Sequence, residues 1–293
     1  MRYAYYPGCS LHSTGKEYDA SLRAVCQKLG IELVEVKDWV CCGSTAAHAL
    51  SWRLALALPL KNLAEAEKQG LSELLAPCAA CFSRFKFALH EIEKKPQLRE
   101  EMEHVVEHKF GDGVQVLHPL AVLSSQDWLG RLTALAGGKL RGLKVVCYYG
   151  CLLVRPPGVT GFDDAENPQS MDRVLRALGA SVQDWGYRTD CCGASFSLTR
   201  TDIVRKLSHD ILEGAREAGA EAVAVACPLC HLNLDSRQKE IEKEYGASYN
   251  LPIFYFTQLM GLGFGLSPRE LLLGKHFVDT SRKLKEVGLH ASR

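Results

Sequence analysis

Asp38-Trp39-Val40-Cys41-Cys42-Gly43 has a partner later in the same chain: Asp184-Trp185, then Cys191-Cys192-Gly193. Working outward from these vicinal pairs, Gly8-Cys9 precedes the first and Pro77-Cys78-Ala79-Ala80-Cys81 follows it. Gly150-Cys151 precedes the second, and Cys227-Pro228-Leu229-Cys230 follows it. Matching cysteines are separated by 142, 150, 150, 149 and 149 residues in a chain of 293. A repeat of half the chain length means two tandem domains, not a solenoid of short units. The expected boundary is 1–140 and 141–293.

Each half alternates strand and helix. In the first, Arg2–Pro7 reads as a strand, Tyr18, Leu22, Val25 and Leu29 as a helical face, and Ile31–Val36 as a strand. Thr45–Lys68 reads as a helix split or kinked at Pro59. Leu71–Ala76 and Val114–Leu117 are further strands, and Phe82–Lys94 a helix. In the second half Leu143–Tyr149, Ser181–Asp184, Ala222–Ala226 and Ile253–Phe256 read as strands. Met171, Val174, Leu175 and Leu178 mark a helix, with Asn167 as its expected cap and Pro168 at its first position. Leu198–Glu217 and Leu229–Glu244 are the other expected helices. The alternation predicts an α/β fold with parallel sheets, duplicated and related by pseudo-twofold symmetry. Every cysteine element then follows a strand, where ligands of open parallel sheets collect, so the three elements of each half are expected to converge.

Composition excludes several classes. Thirty-five basic against 34 acidic residues leave a net charge of +1, which does not suit a nucleic-acid binder. No secretory signal is visible, and the most apolar stretch, Ile253–Leu266, is interrupted by Thr257, Gln258 and three glycines. A cytoplasmic protein without its own transmembrane segment is expected, with any membrane association made through partners. In a reducing compartment the 12 cysteines point to metal or redox chemistry, not disulfides.

Five thiolates per half exceed the four of a closed zinc site, and cubane iron–sulfur clusters also take four. Adjacent cysteines in an extended chain point to opposite faces, so a loop is needed to aim Cys41 and Cys42, or Cys191 and Cys192, at one centre. The spacing leaves zinc and iron–sulfur both open.

These motifs resemble the CCG domain, and two copies in one chain resemble the B subunit of heterodisulfide reductase. The resemblance runs through Tyr5-Tyr6-Pro7-Gly8-Cys9, Trp39–Gly43 with Ala46-Ala47-His48, and Pro77–Cys81. It continues through Tyr149-Gly150-Cys151, Phe162-Asp163-Asp164 with Glu166-Asn167-Pro168, Cys191-Cys192-Gly193-Ala194, Cys227–Cys230, and Gln258-Leu259 with Gly261-Leu262. The resemblance implies two noncubane [4Fe-4S] clusters, zinc being the alternative. One would be held by Cys9, Cys41, Cys42, Cys78 and Cys81, the other by Cys151, Cys191, Cys192, Cys227 and Cys230. It implies a disulfide cleaved reductively between them, of the CoB-S-S-CoM type or a bacterial analogue. The implied partners are a cubane [4Fe-4S] C subunit and a flavin-containing A subunit. Alternatives are an electron-transfer subunit of a quinone-linked succinate/fumarate or hydroxyacid oxidoreductase, and a sulfur-oxidation subunit of heterodisulfide-reductase type.

His12, His48, His118 and His231 lie at or soon after expected strand ends and are the candidate proton donors. Cys26 and Cys147, which have no counterparts, are expected to pack in the core. The longer loop Arg155–Asn167 offers Arg155 for an anionic substrate group, or serves as structure alone. Glu91–Lys109 is expected to be a solvated helix face. Phe254–Leu266 is expected to pass from core into a partner- or lipid-facing patch.

Overall fold

The computed structural model describes residues 1–44, 47–111, 113–286 and 288. Thr45 and Ala46, expected at a helix start and in the first cysteine motif, lie outside them, as do the last five residues of the 141–293 half. Two four-stranded parallel sheets form, one per half. Strands β1 (Arg2–Tyr5), β2 (Glu32–Glu35), β3 (Glu73–Leu75) and β4 (Gln115–Leu117) are ordered β2-β1-β3-β4. Strands β5 (Lys144–Tyr148), β6 (Ser181–Val182), β7 (Ala222–Val225) and β8 (Ile253–Tyr255) are ordered β6-β5-β7-β8. The register repeats too: Tyr5 pairs with Leu75, and Cys147, 142 residues later, pairs with Ala224. The inner strands β5 and β7 are almost wholly buried, as parallel strands covered by helices on both faces must be. The order reverses between β1 and β3, and between β5 and β7. Each reversal opens a crevice at the carboxyl ends of the strands, where the cysteine motifs sit.

The halves share one continuous apolar core. Helix Lys16–Leu29 of the first half packs on helix Phe256–Gly263 of the second. Ser21 Oγ and Thr257 Oγ1 bond at 2.7 Å there, and Tyr18 stacks on Tyr255 with ring centroids 4.3 Å apart. Helix Ala79–Lys94, which carries Cys81, packs on the short helices Cys151–Val154 and Pro157–Thr160. Cys26 and Cys147 are buried, as expected.

Several local expectations are corrected. The helix expected over Thr45–Lys68 breaks at Ser51, not at Pro59, giving Ala47–Leu50 and Trp52–Lys68. Ser51 caps the second piece, its side chain accepting from the Leu54 N–H. An interior proline costs about 3 kcal/mol. Leu56, Leu60 and Leu63 around it are fully buried, at about 1.5–3 kcal/mol each, and outweigh that cost. Asn167 does not cap the next helix, which spans Ser170–Ala177. Asp163 does so from a distance, its Oδ2 accepting from the N–H groups of Gln169 (2.9 Å) and Ser170 (2.7 Å). Leu229–Glu244 is two helices, Pro228–Ser236 and Gln238–Tyr245. The expected exposed patch in Phe254–Leu266 does not exist: every residue of helix Phe256–Gly263 is buried, and Leu266 with it. The stretch is apolar because it forms the seam between the halves. Among the described residues no helix is long and apolar enough to cross a membrane.

Candidate metal centre

The three cysteine elements of each half come together. After β1 the chain turns at Gly8, with φ +65°. A Cβ there would meet the Tyr6 ring at 3.0 Å and Cys81 Sγ at 3.3 Å. Gly150, φ +68°, stands in the same relation to Cys230, whose Sγ lies 3.0 Å from the Cβ position. Glycine is therefore required where the backbone of the first motif lies against the last cysteine of the third. The vicinal motif joins them: Cys42 Sγ lies 3.2 Å from Cys81 Sγ, and Cys192 Sγ lies 3.7 Å from Cys230 Sγ. Gly43 and Gly193, both at φ +75°, bend the vicinal pair so that their N–H groups donate to Cys41 Sγ (3.4 Å) and Cys191 Sγ (3.3 Å).

A matched pair of tyrosines supports each loop. Tyr6 donates to Val40 O at 2.8 Å and Tyr148 to Asp190 O at 2.6 Å, each acceptor immediately preceding a vicinal pair. Trp39 and Trp185 pack edge-on against these tyrosines, at centroid distances of 5.4 and 6.2 Å. Sequence reasoning assigns the two tyrosines no role. Their 142-residue offset, equal to that of Cys9 and Cys151, was the available signal.

Cys9, Cys41 and Cys191 are exposed, while Cys42, Cys78, Cys81, Cys192, Cys227 and Cys230 are buried. Each set therefore has a rim open to solvent and an inner end inside the protein. The inner ends approach each other: the carbonyls just before Cys78 and Cys227, Pro77 O and Ala226 O, both lie within hydrogen-bond distance of His118 Nε2. The neighbouring Cys227 thiol is the largest influence holding the Cys78 thiol above its ordinary range. The neighbouring thiols of Cys230 and then Cys78 hold the Cys227 thiol well below it. In the first set, hydrogen bonds from Cys41 and Cys81 bring Cys42 down to about 4. In the second, Cys151 brings Cys191 down to about 6. Within each crowded set, neighbouring thiols can donate to one that is deprotonated, and the thiolate is the form that binds metal.

The four candidate histidines serve elsewhere. His118 is fully buried, and its Nδ1 accepts from Leu120 N, which leaves the proton on Nε2. That Nε2 lies 2.8 Å from Pro77 O and 3.2 Å from Ala226 O, the carbonyls just before Cys78 and Cys227. Burial pushes this imidazole down to about 4, so it is a neutral strut between the halves. His231 donates through Nε2 to Ile253 O at 3.0 Å and stacks on Tyr255. His12 pairs with Glu35 at 3.2 Å, and His48 is exposed on helix Ala47–Leu50. None of the four bonds a cysteine sulfur among the described residues. Arg155 donates to Glu166 (2.7 Å) in its own loop and to Thr189 O (3.2 Å), two residues before Cys191.

His231, Asp235 and His276 also lie close enough together to suggest metal ligands. However, Asp235 accepts from the N–H groups of Phe277 (2.7 Å) and Val278 (3.2 Å), and His276 Nε2 contacts the Gln258 amide nitrogen at 2.9 Å. This group docks the C-terminal segment.

The CCG cysteine-rich domain pattern matches residues 3–86 and 145–235, the two stretches that carry the ten clustered cysteines. The chain belongs to the CCG cysteine-rich domain family. The 8-methylmenaquinol:fumarate reductase membrane anchor subunit of Wolinella succinogenes is 29% identical to this CCG chain, over 96% of it and 98% of its own length. From Methanosarcina mazei, the B subunit of a ferredoxin:CoB-CoM heterodisulfide reductase is 24% identical, over 96% of this chain and 95% of its own. A solved hypothetical protein from Helicobacter pylori shares the CCG chain's fold, with a TM-score of 0.74 at 11% identity. The match covers 96% of this chain and about half, 52%, of that one.

Proposed function

We propose that this chain is the iron–sulfur subunit of a heterodisulfide-reductase-like oxidoreductase that cleaves a disulfide between two noncubane [4Fe-4S] clusters. One cluster is held by Cys9, Cys41, Cys42, Cys78 and Cys81, the other by Cys151, Cys191, Cys192, Cys227 and Cys230. The observation that carries the reading is the approach of the two thiol sets at Cys78 and Cys227, whose preceding carbonyls share one histidine, His118. Two independent zinc sites would need neither five thiols each nor a shared boundary.

The reaction balances as R–S–S–R′ plus two electrons and two protons giving RSH and R′SH. A one-electron carrier, the cubane-bearing C subunit, supplies the electrons, and a flavin-bearing A subunit feeds that carrier. When bound, the clusters supply electron storage and iron positions for sulfur. The protein's own groups set the geometry. Gly8 and Gly150 allow close approach, Tyr6 and Tyr148 fix the vicinal loops, and neutral His118 holds the inner ends together without adding charge. Protons enter from the exposed rim at Cys9, Cys41 and Cys191. The complex works in the cytoplasm, and any membrane contact is made by partners.

The match to the Wolinella quinol:fumarate reductase protein favours a second reading, in which the same centres only pass electrons to or from a quinone-linked dehydrogenase. Anaerobic holoprotein supplied with a reduced viologen dye separates the two. Thiol release from a panel of low-molecular-weight disulfides supports cleavage here. Viologen oxidation with quinone or fumarate complexes, but with no disulfide, supports the second reading and overturns the first.

A further inference from the structure

The internal repeat makes the two thiol sets comparable residue by residue, and the residues around them differ in charge. Cys81 and Cys230 stand 149 residues apart, and on the same offset Arg84 corresponds to Asn233. Both lie three residues beyond the last cysteine, about one helical turn along the helix that carries it. Asn233 is buried and donates to Cys192 O at 3.0 Å and Cys192 Sγ at 3.6 Å. Arg84 occupies that helix position in the first half, one turn beyond Cys81, with its guanidinium carbon 5.6 Å from the centroid of the Phe87 ring. It forms no ion pair among the described residues, and its Nε is buried without a hydrogen-bond partner.

A second difference has the same sense. The residue before the vicinal pair is Val40 in the first half and Asp190 in the second. Arg155 stands near the second set, but Glu166 pairs with it at 2.7 Å. The balance is a cation without an ion-pair partner one helical turn beyond Cys81 in the first half, among the described residues, and a carboxylate directly before Cys191 in the second.

We infer that the two centres are electronically inequivalent, the centre of the first half having the higher reduction potential because Arg84 stands where the second half has Asn233. This rests on the proposed cluster-bearing function. Adding an electron adds negative charge, which a neighbouring guanidinium stabilises and a carboxylate opposes. The Asn233 hydrogen bond also favours reduction, but it is long and neutral, and charged donors act about twice as strongly. The first electron from a one-electron donor therefore rests on the first-half centre, the donor being oxidised by one electron and that centre reduced by one. The second electron completes the pair that a disulfide requires.

The test is a redox titration of anaerobic holoprotein, followed by absorption and EPR, after iron and sulfide have been measured on the same sample. Two separated potentials are expected. Arg84→Gln lowers the higher one by about tenfold in the electron partition, ~59 mV for one electron, and leaves the lower one in place. Arg84→Lys restores most of the shift. Asp190→Asn raises the lower potential by less, since Asp190 is exposed, and its effect shrinks with added salt. Coincident potentials in the wild type, or an Arg84→Gln change that moves the lower potential or neither, overturns the inference. If Arg84→Gln does not fold, Arg84→Lys and Asp190→Asn decide: an unchanged lower potential in Asp190→Asn counts against it. Absence of iron and sulfide from the sample instead removes the cluster-bearing function, an outcome distinct from equal potentials.

Discussion

Pro77 O and Ala226 O, the carbonyls just before Cys78 and Cys227, face the same His118 Nε2, at 2.8 and 3.2 Å. The inner ends of two separate motifs are thus pinned by one neutral imidazole. A duplicated fold that kept its two thiol sets apart would need no such strut.

In the proposed arrangement the cysteines at this junction hold different centres, so their loss has separable effects. Cys78→Ala and Cys227→Ala each remove about half of the iron and sulfide, with the other half's EPR signal retained. Full loading in either variant would exclude that cysteine as a ligand.

Tyr6→Phe and Tyr148→Phe leave the Val40 and Asp190 carbonyls without their donors. Each variant is expected to lose about 1–3 kcal/mol in denaturant unfolding, with comparable losses because the two bonds are related by the repeat. A negligible change in both would mean that water replaces the hydroxyl and that the tyrosines do not hold the loops.

Gly8→Ala and Gly150→Ala combine positive φ, at about 1–2 kcal/mol, with contacts of 3.0 Å to the Tyr6 ring and Cys230 Sγ respectively. Both should unfold at lower denaturant and take up less iron. Gly158→Ala, at a position with no neighbour within 4 Å, is the control and should be close to wild type. Equal behaviour of all three variants would contradict the close approach.

Burial holds His118 neutral, down to about 4 from an ordinary 6.5. The folded state therefore resists protonation that the unfolded chain accepts. Its contribution to stability is complete above about pH 6.5 and is lost as pH falls toward 4. His118→Gln should be less stable than wild type at pH 7.5, and the gap should narrow between pH 6.5 and 4.5 in urea titrations. A gap independent of pH would mean that His118 is not the neutral strut.

The repeat was legible because thiols, glycines and their spacing are written locally. The α/β alternation, the strand positions and the convergence of three motifs per half followed from that spacing and the strand-end rule. What could not be read was set by distant contacts. Pro59 sits inside a helix because buried leucines around it outweigh its cost, and Asp163, four residues from Asn167, supplies the cap. Helix Phe256–Gly263 looked like an exposed apolar patch because its cover, helix Lys16–Leu29, lies more than 200 residues earlier. His118 has no local sequence mark separating a strut from a proton donor, since its role depends on carbonyls from both halves.

The most direct test of the central claim is the iron and acid-labile sulfide content of anaerobically purified, fully loaded protein, with EPR before and after addition of a thiol under oxidising poise. The account predicts about eight irons and eight sulfides per chain and a signal that changes when the thiol binds. About four irons or fewer, or zinc in place of iron, would contradict two clusters meeting at Cys78 and Cys227.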